Sequence, residues 1–539
     1  MKNRTQREGD RVTTSKFDVV LIGSGHNGMI AAAYLAKAGK KVLVLERNAV
    51  LGGGTMTQEL VAPGFLHDPH STLHILIQAN PVIQNDELGL LSKFGLEYLY
   101  PDANFSTVFD DGDYIVSYTD LDRTCASIAR ISEADARGYR AFAEQSLALL
   151  PMIVQGMFVP PPTQGLFWAL LDQSPEGQTM MANMQRSMLD VLNQYFESEK
   201  VKIHLLKCAA ELLVGPEEKG TGALIFNMAG FIHRFPWGIP VGGSIALAKA
   251  LEACLTFHGA ELRVNAEVEK VRVDGGRARG VTLKTGETVD ADIVIGQIHP
   301  WLLDEMVENL DLAVTRPALA TDTSGFCLMW LMYALNQQPQ FRDVPDEARA
   351  AQTNFAPASL EAYLRTFDDV RYGDLPRSEM LSVLDHTVWD KRRAPEGGST
   401  LTVSAFCPYD LRDGGADAWE HRAAEIETHM HEMVARRFSN LTADTIVGRI
   451  FHSPLDAARY SPTFQRGDVG GIGKFFYQIG GHRPTPALAQ YAVPGAEGLY
   501  LAGTFMHPPG GVTGGGRATA VRICGDLGID FDSLCGGQS

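Results

Sequence analysis

Two short, uninterrupted apolar runs near the start of the chain, Val19 to Ile22 and Val42 to Leu45, flank a small-residue segment containing Ala31, Ala32, Ala33 and Ala36. Apolar runs of this length, bounded by glycine and polar residues, predict strands buried on both faces. The alanine-rich stretch predicts a helix closed by Gly39. Further along, a helix is expected from Ile245 to Phe257, then strands at 259–265, 268–271 and 281–283, with a hairpin turn at Asp274-Gly275-Gly276. Two more strands are expected at 291–296 and 499–501. Residues 120–215 carry apolar positions at helical spacing, among them Ile128, Ile131, Tyr139, Phe142 and Leu147. Segments 326–333, 381–384 and 400–404 predict strands of a second sheet that roofs a site, and Trp419 to Phe438 predicts a charged helix. The pattern as a whole predicts an α/β fold.

The connection between the first two strands carries chemistry. It reads Gly23-x-Gly25-x-x-Gly28, enters the alanine-rich helix, and the second strand ends in Glu46. Strand, turn, helix, strand and acid stand in the order a βαβ dinucleotide site requires. The first glycine permits the tight turn, the second lets a pyrophosphate approach the backbone, and the third lets helix pack on strand. A carboxylate at Glu46 suits the hydroxyls of an unphosphorylated ribose, so FAD or NAD rather than NADP. Arg47 follows it.

Glu46 is followed, after five residues, by Gly52-Gly53-Gly54-Thr55, and residues 498–520 read GLYLAGTFMHPPGGVTGGGRATA. With Pro240-Val241-Gly242-Gly243-Ser244 ahead of the central helix, these motifs resemble those of the phytoene desaturase-like branch of the FAD-dependent amine oxidase superfamily. The pyridine nucleotide-disulfide oxidoreductase domain-containing type falls within that branch. The resemblance implies FAD as cofactor. It implies contacts from Gly52, Gly53, Gly54 and Thr55 to phosphate and ribitol, from the Val268 backbone to adenine, and from Gly503, Thr504, Gly511, Val512 and Thr513 around the flavin. Two departures stand out: Thr504 replaces an acid common in relatives, and Gln297 to Pro300 replaces a common Asn-Ala-Asp-Pro. The resemblance implies a discontinuous Rossmann-like FAD domain, 15–85, 240–300 and 490–530, with a mixed sheet-plus-helices substrate domain from 86–239 and 301–489. Residues 1–14 are expected to be a disordered tail.

The chain has 539 residues and a net charge of −17, which argues against nucleic acid and anionic lipid as partners. Seven scattered cysteines fit reduced thiols of a cytoplasmic protein rather than disulfides or zinc. No apolar run reaches the roughly 18 residues of a spanning helix. Residues 147–171 are apolar around Pro160-Pro161-Pro162. They suit a lid or membrane-dipping entry, but the lack of flanking basic residues favours buried helices or a contact in a homo-oligomer.

Only one complete dinucleotide signature is present, so the organic substrate rather than NAD(P)H is expected to supply the hydride. The expected activity is a dehydrogenase or desaturase that forms a C=C bond in an apolar or alicyclic substrate, with O2 or a quinone as electron acceptor. A flavin amine oxidase, an FAD-dependent isomerase and a lipid carrier resembling the Rab GDP-dissociation inhibitors are the alternatives. His507, in the loop after the last flavin strand, His70 and Tyr477 are the candidate catalytic residues. Tyr409 and Arg483 are further polar candidates, and His67 is expected in a turn.

Overall fold

The computed structural model describes residues 16–536, so the expected tail at 1–14 lies outside the described residues. Two seven-stranded sheets organise the chain. In the first, Glu261–Arg263, Val42–Leu45, Lys16–Ile22, Thr288–Gly296, Arg277–Leu283 and Val268–Asp274 lie side by side in that order, and Leu499–Leu501 pairs with Thr288–Gly296. Strands from three distant parts of the sequence thus run parallel around Lys16–Ile22. The hairpin of Val268–Asp274 and Arg277–Leu283 turns at Gly275-Gly276, as the pattern predicts.

Helices His26–Lys37, Ile245–Phe257 and Gly516–Leu527 pack over this sheet in one apolar core. Eleven residues of His26–Lys37 are buried, and its alanines give the close approach that burial on all sides requires. Gly516 shows how tight the packing is: a Cβ there would lie 1.7 Å from the Asn27 carbonyl oxygen.

The second sheet runs Ile446–His452, Cys327–Leu335, Ser399–Cys407, Leu381–Leu384, Gln352–Ala356, Ala103–Phe109, Tyr114–Tyr118. The predicted strands at 326–333, 381–384 and 400–404 all fall within it. The pattern of apolar positions does not mark Ala103–Phe109, because its buried face is partly polar. His204 Nδ1 lies 2.9 Å from Thr107 Oγ1, and Asn354 Nδ2 donates to the Ser106 carbonyl at 2.9 Å. Those bonds replace the apolar pattern by which a strand is recognised.

Of the two expectations for 147–171, buried helices or a homo-oligomer contact, full burial is corrected: Glu133–Met157 buries Tyr139, Phe142 and Ala143 on one face, but Met152, Leu166 and Leu170 are each more than half exposed. Among the described residues no helix is long and apolar enough to cross a membrane.

One buried ion pair ties the parts together. Arg393 Nη1 donates to Asp68 Oδ2 at 2.5 Å, and its Nη2 to the Pro240 carbonyl at 3.0 Å. Asp68 Oδ1 also accepts from Thr57 Oγ1 and from the Ser244 backbone. The first glycine segment, the central helix start and the chain beside the second sheet therefore meet at one carboxylate.

Candidate active site

Between the two sheets lies a cavity of about 530 Å3. One end is built on the glycine turn. Gly23 takes φ of 81°, a left-handed backbone that favours glycine. The Gln297 side chain, from the returning strand, donates to the Gly23 carbonyl at 2.8 Å and lies across the turn. A Cβ on Gly25 would fall 2.5 Å from Gln297 Oε1, and one on Gly28 2.5 Å from Gln297 Nε2 and 2.7 Å from Leu21. The last two glycines are thus needed by this chain's own packing as well as by any bound phosphate. No side chain caps the start of His26–Lys37, which leaves its first N–H groups for a ligand.

Glu46 is buried in the cavity wall. Its Oε2 accepts from Ser24 N at 2.9 Å and Ser24 Oγ at 2.6 Å, and its Oε1 from Asn48 N at 2.8 Å. A carboxylate has about four acceptor positions, so Oε1 retains one for a ribose hydroxyl. Gly53, with φ of 56°, brings the second glycine segment against the turn; a Cβ there would lie 3.0 Å from the Gly25 Cα.

Of the residues expected to hold a dinucleotide, Gly23, Gly25, Glu46, Arg47, Gly53, Gly54, Thr55, Val268, Gly503, Thr504, Gly511 and Val512 all line this cavity. Gly28, Gly52 and Thr513 stand behind its wall; Gly52 pairs with Gly25, and its carbonyl accepts from Thr55 Oγ1 at 2.7 Å. These donor and glycine positions fit a dinucleotide laid from Val268 and Glu46 towards Gly503 and Val512.

The other end is largely apolar, walled by Leu73, Ile75, Leu212, Met228, Trp237 and Leu328. The second sheet roofs it: Ser404 pairs directly with Trp330, and both residues line the cavity. His70 belongs to an aromatic wall, its ring centroid 4.5 Å from Tyr460, 5.2 Å from Phe464 and 6.4 Å from Trp330. Tyr460 reaches the glycine segment, donating to the Gly53 carbonyl at 2.9 Å. Among the described residues neither ring nitrogen of His70 has a partner, and burial holds its pKa down to about 3. A ring held neutral offers one donor and one acceptor but stores a proton poorly.

Two candidate residues require correction. His507 does not reach the cavity: its Nε2 bonds the Gly156 carbonyl at 3.0 Å, because the loop turns its ring towards the end of Glu133–Met157. Burial lowers its pKa to about 4. Tyr477 is 56% exposed and donates to Asp322 Oδ2 at 2.6 Å, away from the site. Arg483 is buried and donates to the carbonyls of Met506, Gly473 and Thr504, holding the loop behind the cavity. Tyr409 accepts the Trp419 indole N–H through its carbonyl, outside the cavity. His67 bonds the Tyr333 carbonyl at 3.0 Å and pairs with Gln58 in an isolated bridge, where a turn is expected from the sequence.

Sequence reasoning missed Tyr460, Phe464 and Trp330, which lie far from any glycine motif and show no spacing that marks them. It also missed Trp237 and Glu211, which line the cavity with Cys208 and Leu212.

Residues 21–85 match the model of the NAD(P)-binding Rossmann-like domain family. The chain is 25% identical to one component of the limonene dehydrogenase of Castellaniella defragrans, over 95% of each protein. It is 25% identical to a zeta-carotene-forming phytoene desaturase of Myxococcus xanthus, over 92% of this chain and 90% of that one. Cyclohexylamine oxidase from Brevibacterium oxydans shares the fold, with a TM-score of 0.58 at 18% identity over 95% of this chain and all of that one. With its glycine turns meeting in one cavity and a match spanning nearly the full length, the chain is a relative of the phytoene desaturase-like proteins.

Proposed function

We propose that this protein is an FAD-dependent dehydrogenase that introduces a C=C bond into an apolar or alicyclic substrate. The observation that carries the reading is the single cavity whose one end is a dinucleotide cradle and whose other end is apolar. The relatives named for limonene and phytoene dehydrogenation support the same chemistry. When bound, FAD would supply a hydride acceptor for the substrate carbon, with O2 or a quinone-type carrier to take the electrons onward.

The chain's own residues do the rest. Glu46 and the glycine turn fix the nucleotide end. The sheet roof, with Trp330 and Leu328, presses the substrate towards the Gly503 to Val512 side and excludes water, which sharpens any polar contact made there. Neutral His70 adds its ring to the aromatic wall against which the substrate packs. That wall also favours a second reading, an amine oxidase, because aromatic faces suit a substrate amine.

Extraction of cofactor from the purified protein, followed by aerobic turnover with product mass analysis, tests the proposal. FAD should be released, and cyclic hydrocarbons should return products two hydrogens lighter. Imine or aldehyde products from amines would favour the second reading. A protein that takes up no FAD would remove both.

A further inference from the structure

A buried ion pair stands at the apolar end of the cavity. Glu211, which caps helix Glu199–Ala210, lines the cavity beside Cys208 and Leu212. Lys207, one turn back on that helix and 1% exposed, donates to Glu211 Oε1, and Ser382 Oγ donates to the same atom at 2.7 Å. Lys207 also donates to Ser382 Oγ at 2.7 Å. Both donors therefore hold one carboxylate oxygen. Oε2 has no partner among the described residues, and the Glu211 side chain keeps 22% exposure. Burying an ion pair is costly in desolvation and adds little stability, so its place on a cavity wall asks for a use.

The serine that holds Glu211 belongs to the sheet roof. Ser382 stands directly opposite Ser404, and Ser404 directly opposite Trp330. Residues opposed in this way share one face of a sheet, with Cβ atoms about 5 Å apart. Ser404 also lines the cavity, and its hydroxyl has no partner among the described residues. A carboxylate with an open oxygen and a hydroxyl free to donate are thus set on one roof, one strand spacing and one hydrogen bond from each other.

Resting on the reading of this cavity as a dehydrogenase site, we propose that Glu211 is its base and that the preferred substrate is an alicyclic ketone, oxidised at the two carbons next to its carbonyl. The C–H bond of the α-carbon breaks and its proton passes to Glu211 Oε2. The electron pair left behind becomes the new C=C bond, as the hydrogen on the β-carbon leaves with its own pair to the flavin. Ser404 Oγ donates to the carbonyl oxygen, where negative charge gathers as the proton departs. Lys207 and Ser382 are positioning residues that aim the carboxylate. Acidity selects the ketone: a carboxylate is far too weak a base for an unactivated C–H bond, whereas a carbonyl spreads the developing charge onto its oxygen.

The test follows exchange of α-hydrogens into heavy water, read by mass spectrometry, with cyclohexanone and decalone as probes. The FAD-loaded protein is kept reduced by light and EDTA under nitrogen, so hydride transfer is blocked and only the base acts. Both ketones should gain α-deuterium well above the protein-free rate. Glu211→Gln should lower that rate roughly 10²-fold or more, and Ser404→Ala roughly tenfold, while FAD content and the circular dichroism spectrum hold. Glu211→Asp, which keeps the charge beside Lys207 but withdraws it by one methylene, serves if the glutamine variant fails to fold; its exchange should fall as well. Exchange at the wild-type rate in either folded Glu211 variant overturns the inference, as does a wild type that exchanges neither ketone. Exchange without bleaching of the oxidised flavin would refute the dehydrogenase reading and leave this one standing. Bleaching by cyclohexane or decalin, with no exchange of either ketone, would do the reverse.

Discussion

At the scale of single residues, the two candidate histidines part company. His70 lines the cavity through its ring, its two nitrogens buried and without a partner among the described residues, while His507 spends one on the Gly156 carbonyl and is buried away from the site. His70→Phe keeps an aromatic ring in the wall and removes only the polar atoms. It should leave FAD content and turnover nearly unchanged and raise thermal stability, because it removes two buried polar atoms that have no partner among the described residues. His507→Ala should instead lower thermal stability, FAD content and turnover together. Steady-state kinetics beside flavin content and melting temperature would separate the two; a selective loss of turnover in His507→Ala would contradict the placement. Glu46→Ala should weaken FAD retention by about 1.5–3 kcal/mol, the range for hydrogen bonds to a charged group, measurable by equilibrium dialysis. It also releases Ser24, so the glycine turn should loosen even without cofactor.

At the scale of elements, the strands and helices around the glycine motifs were legible because local sequence dictates them. The run Val19 to Ile22, the alanine helix and the Gly275-Gly276 turn each stand on a few adjacent residues. The aromatic wall was not legible, since Tyr460, Phe464 and His70 come together only when the chain around 454–464 folds back onto the first glycine segment. Gln297 was visible as a departure from the family pattern, but its place across the turn is a tertiary fact. The helices at 147–171 misled in the other direction: their apolar residues predicted burial, and Leu166 and Leu170 are exposed. The joint among these elements is the Arg393–Asp68 pair, both partners nearly without solvent contact. Arg393 also lies 3.6 Å from buried Asp390, so it is removal of Arg393 that leaves the Asp68 charge alone, at a cost of roughly 3–5 kcal/mol. Arg393→Met should therefore lower the denaturation midpoint sharply, whereas the double change Arg393→Met with Asp68→Leu should recover much of the loss. Equal loss in both variants would mean that the pair does not join the elements.

At the scale of the whole molecule, burial of neutral histidines sets the response to acid. Burial lowers the pKa values of His26, His299 and His507 to about 4, and those of His70, His74 and His204 to about 3. Unfolded, each ring titrates near 6.5, so below that pH the unfolded chain binds more protons and stability falls as pH falls. Each ring contributes roughly 1.4 kcal/mol per pH unit in that window. Asp385 acts oppositely: burial raises its pKa to about 6, so its cost to the fold grows as pH rises from about 4 to 6. Six rings outweigh one carboxyl, so urea midpoints should drop steeply between pH 6.5 and 4. A midpoint that stays flat across that interval would contradict the burial of these rings.

The central claim is that hydride passes from an organic substrate at the apolar end to FAD at the glycine end of one cavity. Anaerobic stopped-flow mixing of the FAD-loaded protein tests it most directly, with an alicyclic substrate in one syringe and NADH or NADPH in a parallel run. The account predicts that the flavin band bleaches at a catalytically competent rate with the alicyclic substrate and stays oxidised with either nicotinamide. Rapid bleaching by NADH or NADPH, with none by any alicyclic substrate, would contradict it.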